Sequence, residues 1–333
     1  MTDKSLQPLL ITGPTAVGKT ALSLALAEEK HAEIISADSR QIYRELVIGT
    51  ARPSEEELAR VPHHFVGDRS IEEPCSAGSF AREAWQRMAD IQQRGRQVLI
   101  TGGSTLYIEA LVKGLPDIPP PVAPVRQALQ HLLETKGLEY LVHWLRHVDP
   151  HYAREDIVRN PRRVVRALEV YLTTGHPFSS LHGHRQGPPC NVIKVVLTRD
   201  REELYERINA RVDKMLQQGL LEEVAALMER GYHHNELILQ TIGYQEPVQY
   251  LEGIISYEEM VARLKRNTRR YARRQLTWFR NRLGRALWIN LSEVDEEEAL
   301  QRIQRAWECG ISSEAVTPVD GRKASLPCPH PDR

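Results

Sequence analysis

Eight consecutive residues, Gly13-Pro14-Thr15-Ala16-Val17-Gly18-Lys19-Thr20, fit the pattern G-x-x-x-x-G-K-[ST]. In such a run the glycines let backbone N–H groups turn inward around phosphate oxygens, and the start of the following helix adds positive potential. Lys19 offers a mobile ammonium group, and the Thr20 hydroxyl can bind Mg²⁺. The pattern carries this meaning only between a strand and a helix. Leu9 to Ile11 supply the strand and Ala21 to Glu29 the helix. The chain is therefore expected to hold a diphosphate-bearing ligand.

Nucleotide hydrolases and kinases built on this loop want a second carboxylate at a strand end to hold Mg²⁺. The run Gln97 to Thr101 leads instead into Gly102-Gly103-Ser104-Thr105, without an acid. The run that does end in one is Ile34-Ile35-Ser36-Ala37-Asp38. One carboxylate thus stands near the phosphate site, and on residue type alone Asp38 is either a metal ligand or a base. Periodicity marks a third group. Leu204, Ile208, Arg211 and Met215 step by four, three and four residues, so they form one line on a helix. An arginine on a core-facing stripe wants an anionic partner, either a ligand or a structural carboxylate. Arg207 lies one turn earlier and is the weaker candidate.

These groups need a frame. Short apolar runs at Pro8 to Thr12, Ala32 to Ser36, Gln97 to Thr101, Asn191 to Leu197 and Ala286 to Asn290 read as buried strands separated by helical patterns. Near-continuous apolar character suits a sheet covered on both faces, so the expected fold is α/β with a doubly wound parallel sheet. Two proline-rich stretches interrupt the alternation, one with prolines at 116, 119, 120, 121 and 124, the other with Pro188 and Pro189. Between them Val125 to Glu134, Leu138 to Arg146 and Arg162 to Leu172 read as helices, the last opened by Asn160 as N-cap and Pro161 in its first turn. We expect an all-helical insertion at 118–189 within a core formed by 1–117 and 190–311; the alternative is that these helices cover the sheet. The polar stretch 312–333, with four prolines, is expected to be disordered.

Further segments follow in a fixed order. Asp38-Ser39-Arg40-Gln41-Ile42-Tyr43 precedes Ile48-Gly49-Thr50-Ala51-Arg52-Pro53 and Pro62-His63-His64. After Gly102-Gly103-Ser104-Thr105-Leu106-Tyr107 come Gly243-Tyr244-Gln245-Glu246, Tyr271-Ala272-Arg273-Arg274-Gln275 and Thr277-Trp278-Phe279-Arg280. From about Leu9 to Asn290 this series resembles the tRNA dimethylallyltransferases, also called tRNA isopentenylpyrophosphate (IPP) transferases. The resemblance implies a P-loop NTPase-like core with a helical, tRNA-clamping insertion. It also implies transfer of a dimethylallyl group from its diphosphate to N6 of adenosine 37, beside the anticodon, with Mg²⁺ as cofactor. Carried over residue by residue, it implies catalytic roles for Asp38 as base, Thr15 and Arg211. Substrate tRNA would meet the segment Asp38, Ser39, Arg40 and Gln41. It is further expected to meet Ser104, Arg126, Arg162, Arg163, Arg166, Tyr244, Arg269, Arg270 and Arg273, the arginines from charge distribution and Tyr244 as a candidate stacking platform. Two departures stand out: Ser104 replaces the usual threonine of a G-G-T and keeps its hydroxyl, and the eukaryotic zinc-finger extension is absent, which favours the bacterial form.

Charge distribution points the same way. Lys plus Arg and Asp plus Glu both total 44, yet ten basic residues fall between Arg263 and Arg285, and no acid falls between Val261 and Ser292. With Tyr257, Val261, Leu264, Tyr271 and Trp278 as the core stripe of one helix, the basic residues occupy the other faces, where they can track RNA phosphates. Tyr244 or Trp278 could stack on an extruded base. The four cysteines form no C-x-x-C pair, and the histidines at 63, 64, 182, 184, 233 and 234 lack metal-site spacing. With no signal peptide and no long apolar run, a cytoplasmic protein is expected, acting as a monomer without membrane contact. The alternatives are an isopentenyltransferase acting on free AMP or ADP, a small-molecule kinase holding ATP, and a non-enzymatic nucleotide-dependent RNA binder.

Overall fold

The apolar runs form one sheet in the computed structural model, which describes residues 7–114, 118–119, 121–183, 187 and 190–311. Its strands are β1 (Leu9–Thr12), β2 (Ala32–Ser36), β3 (His63–His64), β4 (Gln97–Gly102), β5 (Ile193–Thr198) and β6 (Leu287–Asn290). The spatial order is β3-β2-β4-β1-β5-β6, and every pair is parallel. β1 and β2 are buried along their whole length, as a sheet packed on both faces requires. Only β3 lies outside the expected set. A two-residue strand of histidines has no apolar signature; it pairs with Ile34 and Ile35, and His64 Nε2 meets the Glu33 carboxylate at 2.7 Å.

The order of connections places the site. The chain leaves β1 and passes β4 to reach β2, whereas from β4 it passes β1 to reach β5. The winding direction reverses between β1 and β4, and the crevice at their carboxyl ends is where ligands bind in such sheets. Gly13 follows β1, Gly103 follows β4, and Asp38 lies two residues beyond β2.

The described residues divide into two compact units: one comprises those up to Ile108 together with those from Cys190 onward, the other lies between Glu109 and Pro189. The second unit has its own core, in which Leu129, Leu141, Leu145, Val164 and Leu168 are fully buried. Its helices include Ala123–Lys136, Leu138–Val148 and Pro161–Thr174. Asn160 caps the last of these, its side-chain oxygen accepting from the N–H of Arg162 at 3.1 Å and Arg163 at 3.4 Å. The stretch 312–333 lies outside the described residues, as do parts of both proline-rich segments.

The helix Tyr257–Arg282 corrects one expectation. Its buried face consists of Met260, Leu264, Ala272, Gln275 and Phe279, so of the expected stripe only Leu264 is fully buried. Tyr257 is 42% exposed. Val261, Tyr271 and Trp278 lie along the same side of the helix but are only half-buried, Tyr271 where it lines the site cavities, and Tyr257 stands at the helix start.

Gly13 is where this framework leaves no room. Its φ is +151°, and a Cβ there would lie 2.4 Å from the Leu197 carbonyl oxygen of β5. Gly13→Ala is expected to lower stability by about 2–4 kcal/mol, from backbone strain combined with overpacking. Urea unfolding of the variant beside the parent protein measures this; a loss below about 0.5 kcal/mol, the scale of a neutral surface change, would mean β5 yields at no cost.

Candidate active site

The phosphate loop is held from outside by cations. Lys19 Nζ donates to the carbonyl oxygens of Gly13 at 3.0 Å and Pro14 at 2.8 Å. Arg207 Nε donates to Ala16 O, and Arg199 Nε to Val17 O, each at 2.9 Å. Ala16 takes a positive φ of 64°, which only an over-determined turn maintains in a residue with a Cβ. From the opposite side Gln275, fully buried, accepts the Thr15 N–H at 2.9 Å and donates to Gly103 O at 2.8 Å. One side chain thereby ties the loop after β1 to the turn after β4.

Asp38 is anchored by one oxygen. Its Oδ1 accepts from the N–H of Arg40 at 2.9 Å and Gln41 at 3.3 Å, while Oδ2 makes no hydrogen bond among the described residues. The neighbouring turn is fixed by Ser104, whose Oγ accepts the Ser39 N–H at 2.9 Å and donates to Ser39 Oγ at 3.2 Å. Tyr271 stands against the same group; burial and the nearby Asp38 charge push its phenol pKa up.

Two cavities meet at these residues. One, of about 510 Å³, is lined by Lys19, Thr20, Gln41 and Arg207 among others. The other, of about 300 Å³, is walled by Ile208, Val212, Met215, Leu220, Ile242 and Leu264. Thr15, Asp38, Thr50, Arg211 and Tyr271 line both. A polar chamber over the phosphate loop and a more apolar one thus share a border carrying a carboxylate and a guanidinium. Arg211 lies on the stripe with Leu204 and Ile208, as its spacing indicated, but makes no ion pair or hydrogen bond among the described residues. Burial pushes its pKa down, partly offset by Asp38. Lys19 is pushed down to about 7, first by burial and then by the Arg211 charge, with Asp38 opposing. Enclosed cations with so little negative charge around them form a receptor for an anion.

Comparison with known proteins shows the family. The family profile described as IPP transferase matches residues 41–282. The tRNA dimethylallyltransferase of Salinibacter ruber is 51% identical over 299 residues, which cover 90% of this chain and 92% of that protein. The chain belongs to the IPP transferase family. The tRNA isopentenylpyrophosphate transferase of Bacillus halodurans superimposes with a TM-score of 0.66 at 38% identity, covering 90% of this chain and 94% of that one. A eukaryotic dimethylallyltransferase described as acting on tRNA gives 0.74 at 26% identity, covering 90% and 78%.

In this IPP transferase the basic residues named from the sequence fall into two groups. Arg270 and Arg273 are exposed on the helix Tyr257–Arg282. Arg269 is tied down, with Nη1 donating to Asn209 Oδ1 at 2.6 Å and the guanidinium over the Tyr205 ring. Lys265 pairs with Asp213, and Arg263 with Glu259. In the second unit Arg126 and Arg166 converge on the buried Glu169, whereas Arg162 and Arg163 are exposed at a helix start. Tyr244 is a correction. Its ring is fully buried and its hydroxyl donates to Glu223 at 2.6 Å, so it offers no face for a base to stack on. Trp278 is half-buried. Among the described residues no group of three His, Cys, Asp or Glu side chains could hold a metal, and no helix is long and apolar enough to cross a membrane. The side chains of His182 and His184 lie outside the described set.

Sequence reasoning missed Gln275, Arg199 and Glu223 as parts of the site. Gln275 had a signal: it continues the spacing of Leu264, Tyr271 and Phe279, but a glutamine does not announce burial. The other two act through backbone groups that are distant in sequence.

Lys19 yields a prediction with a definite sign. A bound diphosphate favours the ammonium form and raises its pKa, so above about pH 7 binding should take up a proton and weaken as pH rises. Calorimetry of diphosphate ester binding in buffers of different ionisation enthalpy should show uptake that Lys19→Gln abolishes. Equal uptake in both proteins would assign the proton to the ligand.

Proposed function

We propose that this chain is a tRNA dimethylallyltransferase that moves the dimethylallyl group from its diphosphate to N6 of adenosine 37 and releases diphosphate. The observation that supports this most is the shared border of the two cavities, where Asp38 and Arg211 stand together. The adenine amine is a poor nucleophile because its lone pair is delocalised into the ring, so it needs a base as the C–N bond forms. Asp38 Oδ2, which makes no hydrogen bond among the described residues, accepts that proton while Oδ1 keeps the carboxylate in place. Charge building on the departing diphosphate is received by the loop amides, Lys19 and Arg211, which are already positioned. The apolar walls of the smaller cavity suit the hydrocarbon group.

Mg²⁺ suits the donors present. Thr20 is exposed in the first turn of the helix Lys19–Glu29, and the described residues supply no cage of carboxylates. An ion that keeps much of its water and takes diphosphate oxygens fits such a site, where it would neutralise leaving-group charge. We take the protein to act as a monomer, and the reaction to occur in the cytoplasm, where tRNA is available. Exposed Arg270 and Arg273, with Arg162 and Arg163 of the second unit, carry the phosphate contacts. Kinase action and free-adenylate prenylation are not favoured, since the similar proteins are named for tRNA.

The base assignment is tested by Asp38→Asn, which keeps size and polarity. Turnover should fall by ~10²–10⁴-fold while tRNA and dimethylallyl diphosphate still bind. Recovery with excess Mg²⁺ would make Asp38 a metal ligand instead. On the RNA side, Arg270→Ala with Arg273→Ala should weaken tRNA binding and flatten its salt dependence by a slope of about 1–2, leaving dimethylallyl diphosphate affinity unchanged. A salt slope equal to the parent's would remove both arginines from the RNA surface.

A further inference from the structure

Behind the wall of the smaller cavity, one carboxylate gathers the amides of a turn. Glu223, on the helix Leu220–Glu229, accepts at Oε2 from the N–H of Val47 at 3.3 Å and of Ile48 at 2.8 Å. Its Oε1 accepts from the N–H of Gly49 at 3.2 Å and from the Tyr244 hydroxyl at 2.6 Å. No side chain fits between the turn and the ring, because a Cβ on Gly49 would lie 2.5 Å from Tyr244 Cε2. The turn then closes on itself: Ala51 N–H donates to Ile48 O at 2.8 Å, Arg52 N–H to Val47 O at 3.1 Å, and the Thr50 hydroxyl to Leu46 O at 2.9 Å.

The far end of this turn holds Gln41. Gln41 Nε2 donates to Thr50 O at 3.2 Å and to Ala51 O at 3.0 Å. The reverse amide orientation would set the side-chain oxygen against two carbonyl oxygens, so the chemistry fixes which atom points where. With both amide hydrogens engaged, Gln41 has only Oε1 left to offer, as a hydrogen-bond acceptor; the Ser36 hydroxyl reaches that oxygen at 3.5 Å, which leaves one of its two lone pairs open. Gln41 lines the phosphate-side cavity, Gly49 lines the smaller one, and Thr50 lines both.

We propose that Glu223 and Tyr244 are positioning residues that hold the 47–51 turn so that its carbonyls lock Gln41 as an acceptor toward the RNA base. This rests on the prenyl-transfer reading. An acceptor fixed in that place favours a base edge carrying an amino group over one carrying a carbonyl, because the wrong edge would bring two acceptors together without a proton between them. Neither Glu223 nor Tyr244 touches a reacting atom; both act through the turn.

The test is steady-state transfer to an unmodified anticodon stem-loop RNA by the parent protein, E223Q, Y244F, Q41A and the double variant E223Q/Q41A. An amide cannot accept at both ends, so E223Q strips acceptors from part of the turn. The kcat/KM for RNA should fall about tenfold, while the KM for dimethylallyl diphosphate stays within about twofold. Added to Q41A, the same change should cost less than about twofold, because the group it positions is already gone. Y244F keeps the ring and should show about a threefold loss with the same silence beside Q41A, which preserves the test if E223Q fails to fold. A full loss on top of Q41A, a parallel rise in the diphosphate KM, or unchanged kinetics in Y244F would overturn the proposal. Parent protein that transfers nothing to the RNA would instead count against the prenyl-transfer reading.

Discussion

The turn after β1 must present its amides inward, and that orientation turns the carbonyls of the same peptides outward. Each outward carbonyl needs a donor, since a buried polar group without a partner costs about 1–3 kcal/mol. Gly13, Pro14, Ala16 and Val17 find theirs in Lys19, Arg207 and Arg199, all cations. The arrangement satisfies the loop and at the same time concentrates positive charge around an anion site. Gln275 then fixes the loop against the β4 end, so the remaining features of the site inherit their positions from this turn.

The enclosed charges carry an energetic consequence. Lys19 and Arg211 are both driven toward their neutral forms by burial, and Asp38 is the anion that opposes this. A diphosphate entering such a site relieves an existing electrostatic cost. In the proposed reaction, negative charge on the leaving group would grow where these cations already stand, so little reorganisation would be needed at that moment. Asp38 serves two ends with its two oxygens: one holds the backbone N–H groups of Arg40 and Gln41, and the other makes no hydrogen bond among the described residues.

Charge elsewhere shows why a basic stretch does not translate directly into a surface. Along the helix Tyr257–Arg282 the local sequence is free of acids after Glu259, yet Lys265 and Arg269 find partners on the helix Arg201–Gln217. In the second unit Glu169, fully buried, takes both Arg126 and Arg166. What remains for an external anion is the exposed subset. Exposed pairs contribute little to stability, so exchanging one for an external anion costs little.

The sequence by itself determined the phosphate loop, the parallel sheet and the position of Asp38. Those depend on local backbone chemistry: glycines at fixed spacing, continuous apolar runs, and an acid just after a strand. The stripe holding Arg211 was legible for the same reason, because helical periodicity is a local property. Tertiary structure alone decided that Tyr244 is core, that Arg269 is tied to Asn209, and that Gln275 and Glu223 organise turns far from them in sequence. Gln275 meets Thr15 across 260 positions, and Glu223 meets Gly49 across 174. A hydrogen bond from a side chain to a distant backbone amide leaves no pattern near either residue. Only the packing that brings the two together gives such residues a role.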